Sequence, residues 1–349
     1  MRFICERIEK ISEQDEQFLN ALNIIIIHKT KLAPIYIIEA SDISIINKSN
    51  FFDSVEISPT YTLADDVTMT PDIKSSTLIK KACVGWGSIR VAVFDSGVRP
   101  DNANLVFSHD YTPYGFIMSN HGTIVAKIIN NYSPAAQIYS MKIAHEGNDI
   151  DGSNILIAFD KALELEVDII NMSLGREHDC RNTPCKVCNY VNYIVEEGIT
   201  VVAASGNSGK KDGYSIDCPA NVEKAITVGS VVRNMELARS SGKGVPGFNK
   251  PNIVAPGHVS TTVKVGKNTV IEREDGTSFA APVISGVLAS LFSVFKERDI
   301  IITNMYNNCE DLGLQSYEQG FGYINVEKLL EVCENDATIS RKSSGQTSN

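Results

Sequence analysis

The sequence lacks the features of several large classes of protein. It has no cluster of Lys and Arg, and its net charge of -10 repels phosphate backbones and anionic lipid, so we expect neither nucleic-acid nor membrane partners. Its first ten residues mix charged and apolar side chains and do not form the apolar stretch of a signal peptide. We therefore expect a cytoplasmic protein, with export by a route other than Sec left open.

Long hydrophobic runs and low-complexity segments are also scarce. The longest apolar run, 279–295, is short and rich in small residues, which indicates a buried core helix. Hydrophobic residues make up 43% of the 349 residues, which is typical of a globular protein with a sizeable core. The polar segment 335–349 is rich in Ser, Thr and Lys and predicts a disordered tail.

Short β-rich runs alternate with helical patterns from about residue 80 onward. Strands that lead into helices in this way form βαβ units, so the predicted fold class is α/β, with a mainly parallel sheet and helices on both faces. Ligands of such sheets bind beyond the carboxyl ends of the strands, where Asp95, Ser173 and Asn207 fall. The predicted strands are 89–94, 137–142, 167–173, 199–204 and 225–230, and the predicted helices are 121–130, 153–165, 188–197 and 278–296.

A smaller α+β pattern precedes this unit. Residues 1–66 have a polar helical start, and the aperiodic stretch 61–76 predicts a boundary. We predict a small α+β segment over 1–66, a larger α/β domain over 67–334 and a tail over 335–349. Within the first segment the strand patterns are 23–28, 34–39 and 55–58, and the helix pattern is 41–50.

Three motifs carry the residue types of a catalytic triad in the order Asp, His, Ser. A serine hydroxyl is a weak nucleophile at neutral pH, so it needs an imidazole to take its proton and a carboxylate to orient that imidazole. Each residue alone is usually a cap or a surface group, and only the set indicates catalysis. The motifs are Val91-Ala-Val-Phe-Asp95-Ser-Gly97, His121-Gly-Thr123 and Gly276-Thr-Ser278-Phe-Ala-Ala-Pro282.

These motifs predict Ser278 as nucleophile, His121 as general base and acid, and Asp95 as the residue that orients the imidazole. Pro282 is predicted in the first turn of the helix that Ser278 begins. A fourth motif, Val201-Val-Ala-Ala-Ser-Gly-Asn207, ends in a side-chain amide just past a strand. Asn207 and the backbone N–H of Ser278 would form an oxyanion hole for the charge that develops on the attacked carbonyl.

Taken together and in this order, the four motifs resemble those of the subtilisin-like serine proteases, the subtilases. The resemblance covers about residues 80–334. It implies a subtilisin-like fold, a serine endopeptidase that works through an acyl-enzyme on Ser278, and no cofactor for the chemistry. Further matching segments are Asn171-Met-Ser-Leu-Gly175, Lys250-Pro-Asn-Ile-Val-Ala-Pro-Gly257 and Gly320-Phe-Gly-Tyr-Ile-Asn325.

The resemblance also implies how substrate and inhibitor bind. The backbone of Ser173, Leu174 and Gly175 would pair with a peptide or protein substrate as an added strand. Residues 1–66 resemble a propeptide, which assists folding and then inhibits the same chain. Many relatives carry a calcium-binding loop after the histidine motif. The connection 124–136 is shorter, which argues against the high-affinity calcium site of those relatives and leaves a structural calcium ion as an open alternative.

Several functions remain open at this point. A subtilase-like protein that binds peptides without cutting them is the alternative to an enzyme. An enzyme would either remove the leader of a precursor peptide or degrade intracellular proteins generally. The α/β-hydrolase esterases are excluded, because they need G-x-S-x-G and the order Ser, Asp, His.

Asp217 is a candidate specificity residue, because the resemblance places it at the far wall of the primary pocket. A carboxylate there favours Arg or Lys before the scissile bond. Alternatively, Asp217 is solvated or paired with Arg176 or Arg181. One observation opposes the first interpretation: no Lys or Arg lies between positions 51 and 73, where self-removal of a propeptide is expected, and Lys74 comes next.

The cysteines suggest a second hypothesis. Cys180, Cys185 and Cys188 have C-x4-C-x2-C spacing, and Cys218 follows at a distance. We hypothesise that the four meet beside the substrate cleft. Four thiolates can bind zinc, disulfides would pin the same loop in an oxidising compartment, and plain buried thiols are the third alternative.

Overall fold

The computed structural model describes residues 1–63, 88–100, 102, 104–112, 120–144, 149–181, 185–211, 213–265 and 268–345. The predicted boundary after residue 66 and Lys74 lie outside these residues. In the N-terminal segment the elements are β1 (Arg2–Glu6), α1 (Glu13–Ala21), β2 (Ile25–Lys29), β3 (Ile35–Glu39), α2 (Ile43–Ser49) and β4 (Ser54–Ile57).

This segment is the predicted α+β unit, with one correction at its start. Residues 2–6 form a strand where the sequence predicts a polar helical start, and β1 is an inner strand of the sheet β2-β3-β1-β4. Phe3, Ile4 and Cys5 are all fully buried. Phe3 and Cys5 pack against the segment's own core, whereas Ile4 packs into the core of the following domain. Because both faces of β1 are covered, its consecutive residues are all buried, and the sequence lacks the alternation of apolar and polar residues that indicates a half-exposed strand.

The remaining elements are the last strand of the N-terminal segment, at 60–63, and all the elements of the larger unit. They are β5 (Thr60–Leu63), β6 (Arg90–Asp95), β7 (Leu105–Asp110), α3 (His121–Tyr132), β8 (Gln137–Lys142), β9 (Asp149–Asp151), α4 (Gly152–Glu164), β10 (Ile169–Met172), β11 (Leu174–Gly175), α5 (Lys186–Glu196), β12 (Thr200–Ala204), β13 (Ile226–Val231), β14 (Ile253–Pro256), β15 (His258–Val265), β16 (Asn268–Asp275), α6 (Thr277–Val294), α7 (Arg298–Asn307), α8 (Ser316–Gln319) and α9 (Val326–Gly345).

A seven-stranded sheet in the order β14-β13-β12-β10-β6-β8-β7 forms the centre of this unit. All its strand pairs are parallel. The predicted α/β class is confirmed, and each strand and helix predicted in this domain lies within two residues of its observed bounds. The short strands β5, β9 and β11, the edge strands β7 and β14 and the hairpin β15–β16 are additional to the predicted set.

Helices cover the sheet on both faces because the strands are apolar on both. In β6, Val91 and Val93 pack with α3 and α6, while Ala92 and Phe94 pack with α4 and α5 on the opposite face. This alternation is the period of two expected of a strand, with both sets apolar. The carboxyl ends of β12, β10 and β6 are thereby placed side by side along one edge.

Helix α6 is the most apolar helix of the chain and runs through the core. It is long and apolar enough to cross a membrane by composition, and 94% of it is buried inside the protein. Pro282 is its sixth residue and lies in the second turn, not in the first as predicted. At the other end of the chain, α9 continues to Gly345, so part of the segment predicted as a disordered tail is helical here.

Candidate active site

Asp95 and His121 form a buried pair at the carboxyl edge of the sheet. Asp95 ends β6 and His121 begins α3; the Nδ1 atom of His121 lies 2.8 Å from Oδ1 and 2.9 Å from Oδ2 of Asp95. The backbone N–H of Ser96 also donates to Oδ1 of Asp95, at 2.7 Å. A carboxylate in this position holds the proton on Nδ1 and leaves Nε2 as the basic nitrogen of the imidazole.

Gly122 allows this close approach of helix and strand. A Cβ atom at that position would lie 2.5 Å from the carbonyl oxygen of Gly97 and 3.0 Å from Oδ1 of Asp95. Any side chain at this position would therefore push α3 away from β6. The glycine after the histidine is thus required by the geometry of the pair.

Ser278 is the second residue of α6 and is held there by a hydrogen bond from outside the helix. The hydroxyl of Ser173 donates to the backbone carbonyl of Ser278 at 2.7 Å. In a regular helix that carbonyl would accept from residue 282, but Pro282 has no N–H. The His121 ring packs against Phe279, the residue after Ser278, with ring centroids 5.6 Å apart. These contacts place the His121 ring beside the first turn of α6, which carries the predicted nucleophile.

Asn207 lies three residues past β12 with its side chain fixed by Thr277. The side-chain oxygen of Asn207 accepts from the backbone N–H and from the hydroxyl of Thr277, each at 3.1 Å. The Thr277 oxygen in turn accepts the N–H of Gly206 at 3.2 Å. Because the oxygen is bound on the Thr277 side, the amide NH₂ is directed away from it and can donate to an oxyanion.

Strand β11 carries the predicted substrate-pairing residues Leu174 and Gly175, and it pairs with the chain's own N-terminal part. The pairing with β5 is antiparallel, Leu174 opposite Leu63 and Gly175 opposite Thr62. On its other side β5 pairs with β9, so β5 is the middle strand of the sheet β11-β5-β9. The peptide-binding edge that the sequence predicts is therefore occupied by β5.

Several residues of this network are additional to the predicted site. Ser173, predicted only through its backbone, also uses its hydroxyl to hold Ser278. It accepts a hydrogen bond from the Asn171 amide at 2.9 Å, and the Asn171 oxygen accepts from Ser285 at 2.8 Å. Asn171 and Thr277 lie inside the motifs described above. The only indication of their role in the sequence is that they stand next to predicted site residues. Ser285 lies within an apolar helix and has no local signal.

The comparison with known protein families agrees with this geometry. The profile of the subtilase family matches residues 87–322. The chain belongs to the subtilase family. Among curated subtilases, the minor extracellular protease Epr of Bacillus subtilis (strain 168) is 32% identical over 263 residues, which are 70% of this chain and 38% of Epr. The chain thus spans well under half of that relative's length.

Two solved structures of subtilisin-like proteases share the fold. The epidermin leader peptide processing serine protease EpiP from Staphylococcus aureus superposes with a TM-score of 0.70 at 17% identity, covering 95% of this chain and 98% of EpiP. A lanthipeptide protease superposes with a TM-score of 0.61 at 22% identity, covering 72% of this chain and 90% of that protein. The subtilisin-like architecture is therefore confirmed, and the EpiP match covers the N-terminal α+β segment as well.

Asp217 lies in a slot between two glycines of this subtilase. A Cβ atom on Gly175 would lie 2.7 Å, and one on Gly206 2.4 Å, from Oδ2 of Asp217. Burial raises the pKa of the Asp217 carboxyl to about 7; the Glu177 carboxylate adds to the increase and Lys211 opposes it. The carboxyl thus lies between β11, which is the predicted substrate-pairing strand, and the segment that leads to Asn207.

The two arginines considered as partners of Asp217 have other acidic neighbours. Arg181 binds Asp179 through Nη2 at 2.6 Å and Nε at 2.8 Å. The charge of Arg176 acts on the carboxyl of Glu56. Asp217 is 9% exposed, which excludes the solvated alternative.

The four predicted cysteines do come together. Their Sγ atoms all lie within 4.8 Å of one another, and all four residues are buried. Within the residues that the structure describes, this cluster is the one group of His, Cys, Asp or Glu side chains that could hold a metal ion. After the histidine helix, residues 133–136 connect α3 to β8, so the connection 124–136 consists of most of α3 and four further residues.

Proposed function

We propose that the protein is a serine endopeptidase with Ser278 as its nucleophile. The observation that carries this proposal is the buried bond between His121 Nδ1 and Asp95, 2.8 Å long. It lies at the start of α3, and α3 packs against α6, whose second residue is Ser278. A buried pair of this kind fixes the tautomer in which Nε2 can accept a hydroxyl proton. A peptide-binding protein without activity would have no need for this arrangement.

In the proposed reaction, His121 Nε2 takes the Ser278 proton as Oγ attacks the scissile carbonyl. The carbonyl oxygen gains negative charge and accepts hydrogen bonds from the Asn207 amide and the Ser278 N–H. His121 then gives its proton to the leaving amine, which leaves an acyl group on Ser278. Water activated by His121 hydrolyses this ester and restores the serine.

The N-terminal segment is proposed as an intramolecular chaperone and inhibitor. Its strand β5 pairs with both β11 and β9, so a substrate strand cannot pair with them at the same time. The segment also binds the start of α4: the N–H of Gly152 donates to the Pro59 carbonyl at 2.7 Å, and the N–H of Ser153 to the Ser58 hydroxyl at 2.8 Å. The first bond satisfies an N–H group that a helix start leaves free, and the second is shared with the N-cap residue Asp151, whose Oδ1 also accepts the Ser153 N–H at 2.8 Å.

For the substrate, we propose the leader of a precursor peptide, cut after Arg or Lys. The Asp217 carboxyl between Gly175 and Gly206 supports a basic residue before the scissile bond, because that side chain enters between the substrate-pairing strand and the Asn207 segment. The names of the two similar structures, a leader peptide processing protease and a lanthipeptide protease, support the leader. General turnover of intracellular proteins is the competing function, and it predicts many cuts in unfolded proteins.

A single set of reactions tests these proposals. A fluorophosphonate probe should label the wild-type chain, after removal of its N-terminal segment, and not Ser278→Ala. Peptides that differ only in Arg, Leu or Glu before the scissile bond should be cut fastest with Arg. Labelling without hydrolysis of any peptide or of casein would favour the peptide-binding alternative, and preferred cutting after Leu would contradict the basic specificity.

A further inference from the structure

Four cysteine sulfurs form a compact cluster beside the active site. The Sγ atom of Cys218 lies 3.2 Å from that of Cys188 and 3.3 Å from that of Cys185. The Cys180 sulfur is within hydrogen-bonding reach of all three others. Each sulfur therefore faces three neighbours, and the four do not divide into two pairs.

This arrangement is the one that a tetrahedral metal requires. Four thiolates at about 2.3 Å from a tetrahedral zinc ion are about 3.8 Å from one another, and the four sulfurs here span 3.2 Å to 4.8 Å. A disulfide instead joins two sulfurs at about 2.05 Å and leaves the rest apart. No disulfide bond joins any two of Cys180, Cys185, Cys188 and Cys218.

The chain around the cluster supplies the supporting contacts of a metal site. Cys185 precedes the first residue of α5 and Cys188 lies in its first turn, which gives the C-x2-C spacing common in zinc sites. The backbone N–H of Cys185 donates to the Cys180 sulfur, and the Nδ1 atom of His178 lies 3.0 Å from it. Hydrogen-bond donors of this kind orient thiolate ligands and stabilise the negative charge on the sulfur.

We propose that Cys180, Cys185, Cys188 and Cys218 bind one structural zinc ion. With four protein ligands the ion has no open position, so it takes no part in the chemistry. Zinc is preferred to calcium or magnesium because the ligands are all thiolates.

The position of the site gives the ion a role in the substrate pocket. Cys218 follows Asp217 directly, and its backbone pairs with Arg176, N–H to carbonyl in both directions at 2.9 Å. Arg176 in turn follows Gly175, the last residue of β11. The ion would therefore link the loop after β11 to the segment that carries Asp217. This link would hold Gly175 and Asp217 at a fixed distance from each other. Only this consequence depends on the proposed function; the metal site does not.

Metal analysis of the full chain tests the proposal. Ser278→Ala is used so that the N-terminal segment, which contains Cys5, stays attached. We expect about one zinc per chain, and loss of at least nine tenths of it in Cys188→Ser. The matched control Cys309→Ser removes a thiol far from the cluster and should keep its zinc. Cobalt added during refolding should give the absorption of a tetrahedral tetrathiolate site.

Thiol counting separates zinc from disulfides without relying on a variant that folds poorly. In denaturant with a chelator and no reductant, the full chain should show all eight cysteines as thiols, with release of the zinc. Six or four thiols would mean one or two disulfides and would overturn the proposal. Eight thiols with no metal, or with a metal other than zinc, would overturn it as well.

Discussion

The hydroxyl of Ser173 donates a 2.7 Å hydrogen bond to the backbone carbonyl of Ser278, and this is the carbonyl that Pro282 leaves without its helical N–H donor. The Ser173 hydroxyl thus replaces the hydrogen bond that a backbone N–H at position 282 would otherwise donate to the Ser278 carbonyl. The bond connects the substrate-pairing segment directly to the proposed nucleophile.

Removal of the Ser173 hydroxyl should therefore destabilise the protein and misplace Ser278. Ser173→Ala leaves a buried carbonyl without this donor, which costs about 1–3 kcal/mol of unfolding free energy. In Ser173→Ala/Pro282→Ala, the new N–H of residue 282 can bind the same carbonyl, so part of the stability should return. Denaturant unfolding of the two single variants and the double variant measures this coupling. Additive effects would mean that the two residues do not share the carbonyl.

The oxyanion amide should be the most sensitive side chain after the triad. Asn207→Ala should lower kcat by roughly 100- to 1000-fold with little change in KM, since such a donor acts mainly in the transition state. Thr277→Val keeps the backbone bond to the Asn207 oxygen and loses the hydroxyl bond, so we expect a loss of about tenfold. Steady-state kinetics on one peptide measures both. Ser208→Ala, a neighbouring change outside the amide contacts, serves as control, and an equal loss in all three variants would contradict the assignment.

The Asp217 carboxyl should make the preference for Arg dependent on pH. With a pKa of about 7, the carboxyl is mostly protonated at pH 6 and mostly ionised at pH 8. The ratio of kcat/KM for an Arg peptide to that for a Leu peptide should then rise about tenfold over this range. A pH dependence of the chemical steps that is common to both peptides cancels in the ratio. In Asp217→Asn the ratio should be low and independent of pH.

Asp217→Asn should also make the folded protein more stable than wild type at high pH. In the folded chain the raised pKa keeps the proton on Asp217 up to about 7, whereas the unfolded chain loses it near 3.8. The folded state binds more protons between these values, so stability from this group falls as pH rises from 4 to 7. Asp217→Asn should therefore raise Tm relative to wild type at pH 8 and not at pH 4. Thermal melts of the Ser278→Ala chain at both pH values measure this without self-cleavage.

Self-removal of the N-terminal segment should be slow because no basic residue precedes the expected cut. β5 ends with Leu63 opposite Leu174, and 64 is the first position of the sequence after this strand. Ala64→Arg should then accelerate self-cleavage at least tenfold, and Ala64→Leu should not. In Asp217→Asn, the advantage of Arg should disappear. Mass spectrometry of the released segment over time gives both the rate of cleavage and the peptide bond that is cut. Cleavage at Lys74 in every variant would contradict a cut directly after β5.

The sequence predicted the site better than the strands around it. Asp95, His121, Asn207 and Ser278 lie in short motifs next to periodic strands and helices, so local patterns were enough to place them at one edge. β5, β9 and β11 are short strands whose existence depends on pairing between residues far apart in the chain. Position 62 pairs with Gly175 and Asp149, and no local pattern encodes such contacts. β1 was missed for a related reason, because neighbours from two separate cores bury its consecutive residues.

Lys250 provides a further prediction, because its buried ammonium group lies among oxygen atoms. Nζ lies 2.8 Å from the Val222 carbonyl, 2.7 Å from the Ala225 carbonyl, 2.9 Å from Thr227 Oγ1 and 2.8 Å from Asn252 Oδ1. Loss of the ammonium removes one donor from each of these oxygens. Asn252 Oδ1 still accepts the N–H of Thr227 at 2.8 Å and the Val222 carbonyl still accepts that of Ala225 at 3.3 Å; each buried group left unsatisfied costs about 1–3 kcal/mol.

Lys250→Met should accordingly lower the unfolding free energy by about 3 kcal/mol or more, measured by denaturant unfolding of the Ser278→Ala chain. The matched control is Lys224→Met, which removes an exposed ion pair with Glu196 and should cost less than about 1 kcal/mol. In Lys250→Ala the oxygen atoms stay in place and the long side chain is gone, so potassium chloride should restore part of the lost Tm. Tetramethylammonium chloride at equal ionic strength cannot enter a space of this size and should not. Equal rescue by both salts would mean that screening, and not binding at these oxygens, is responsible.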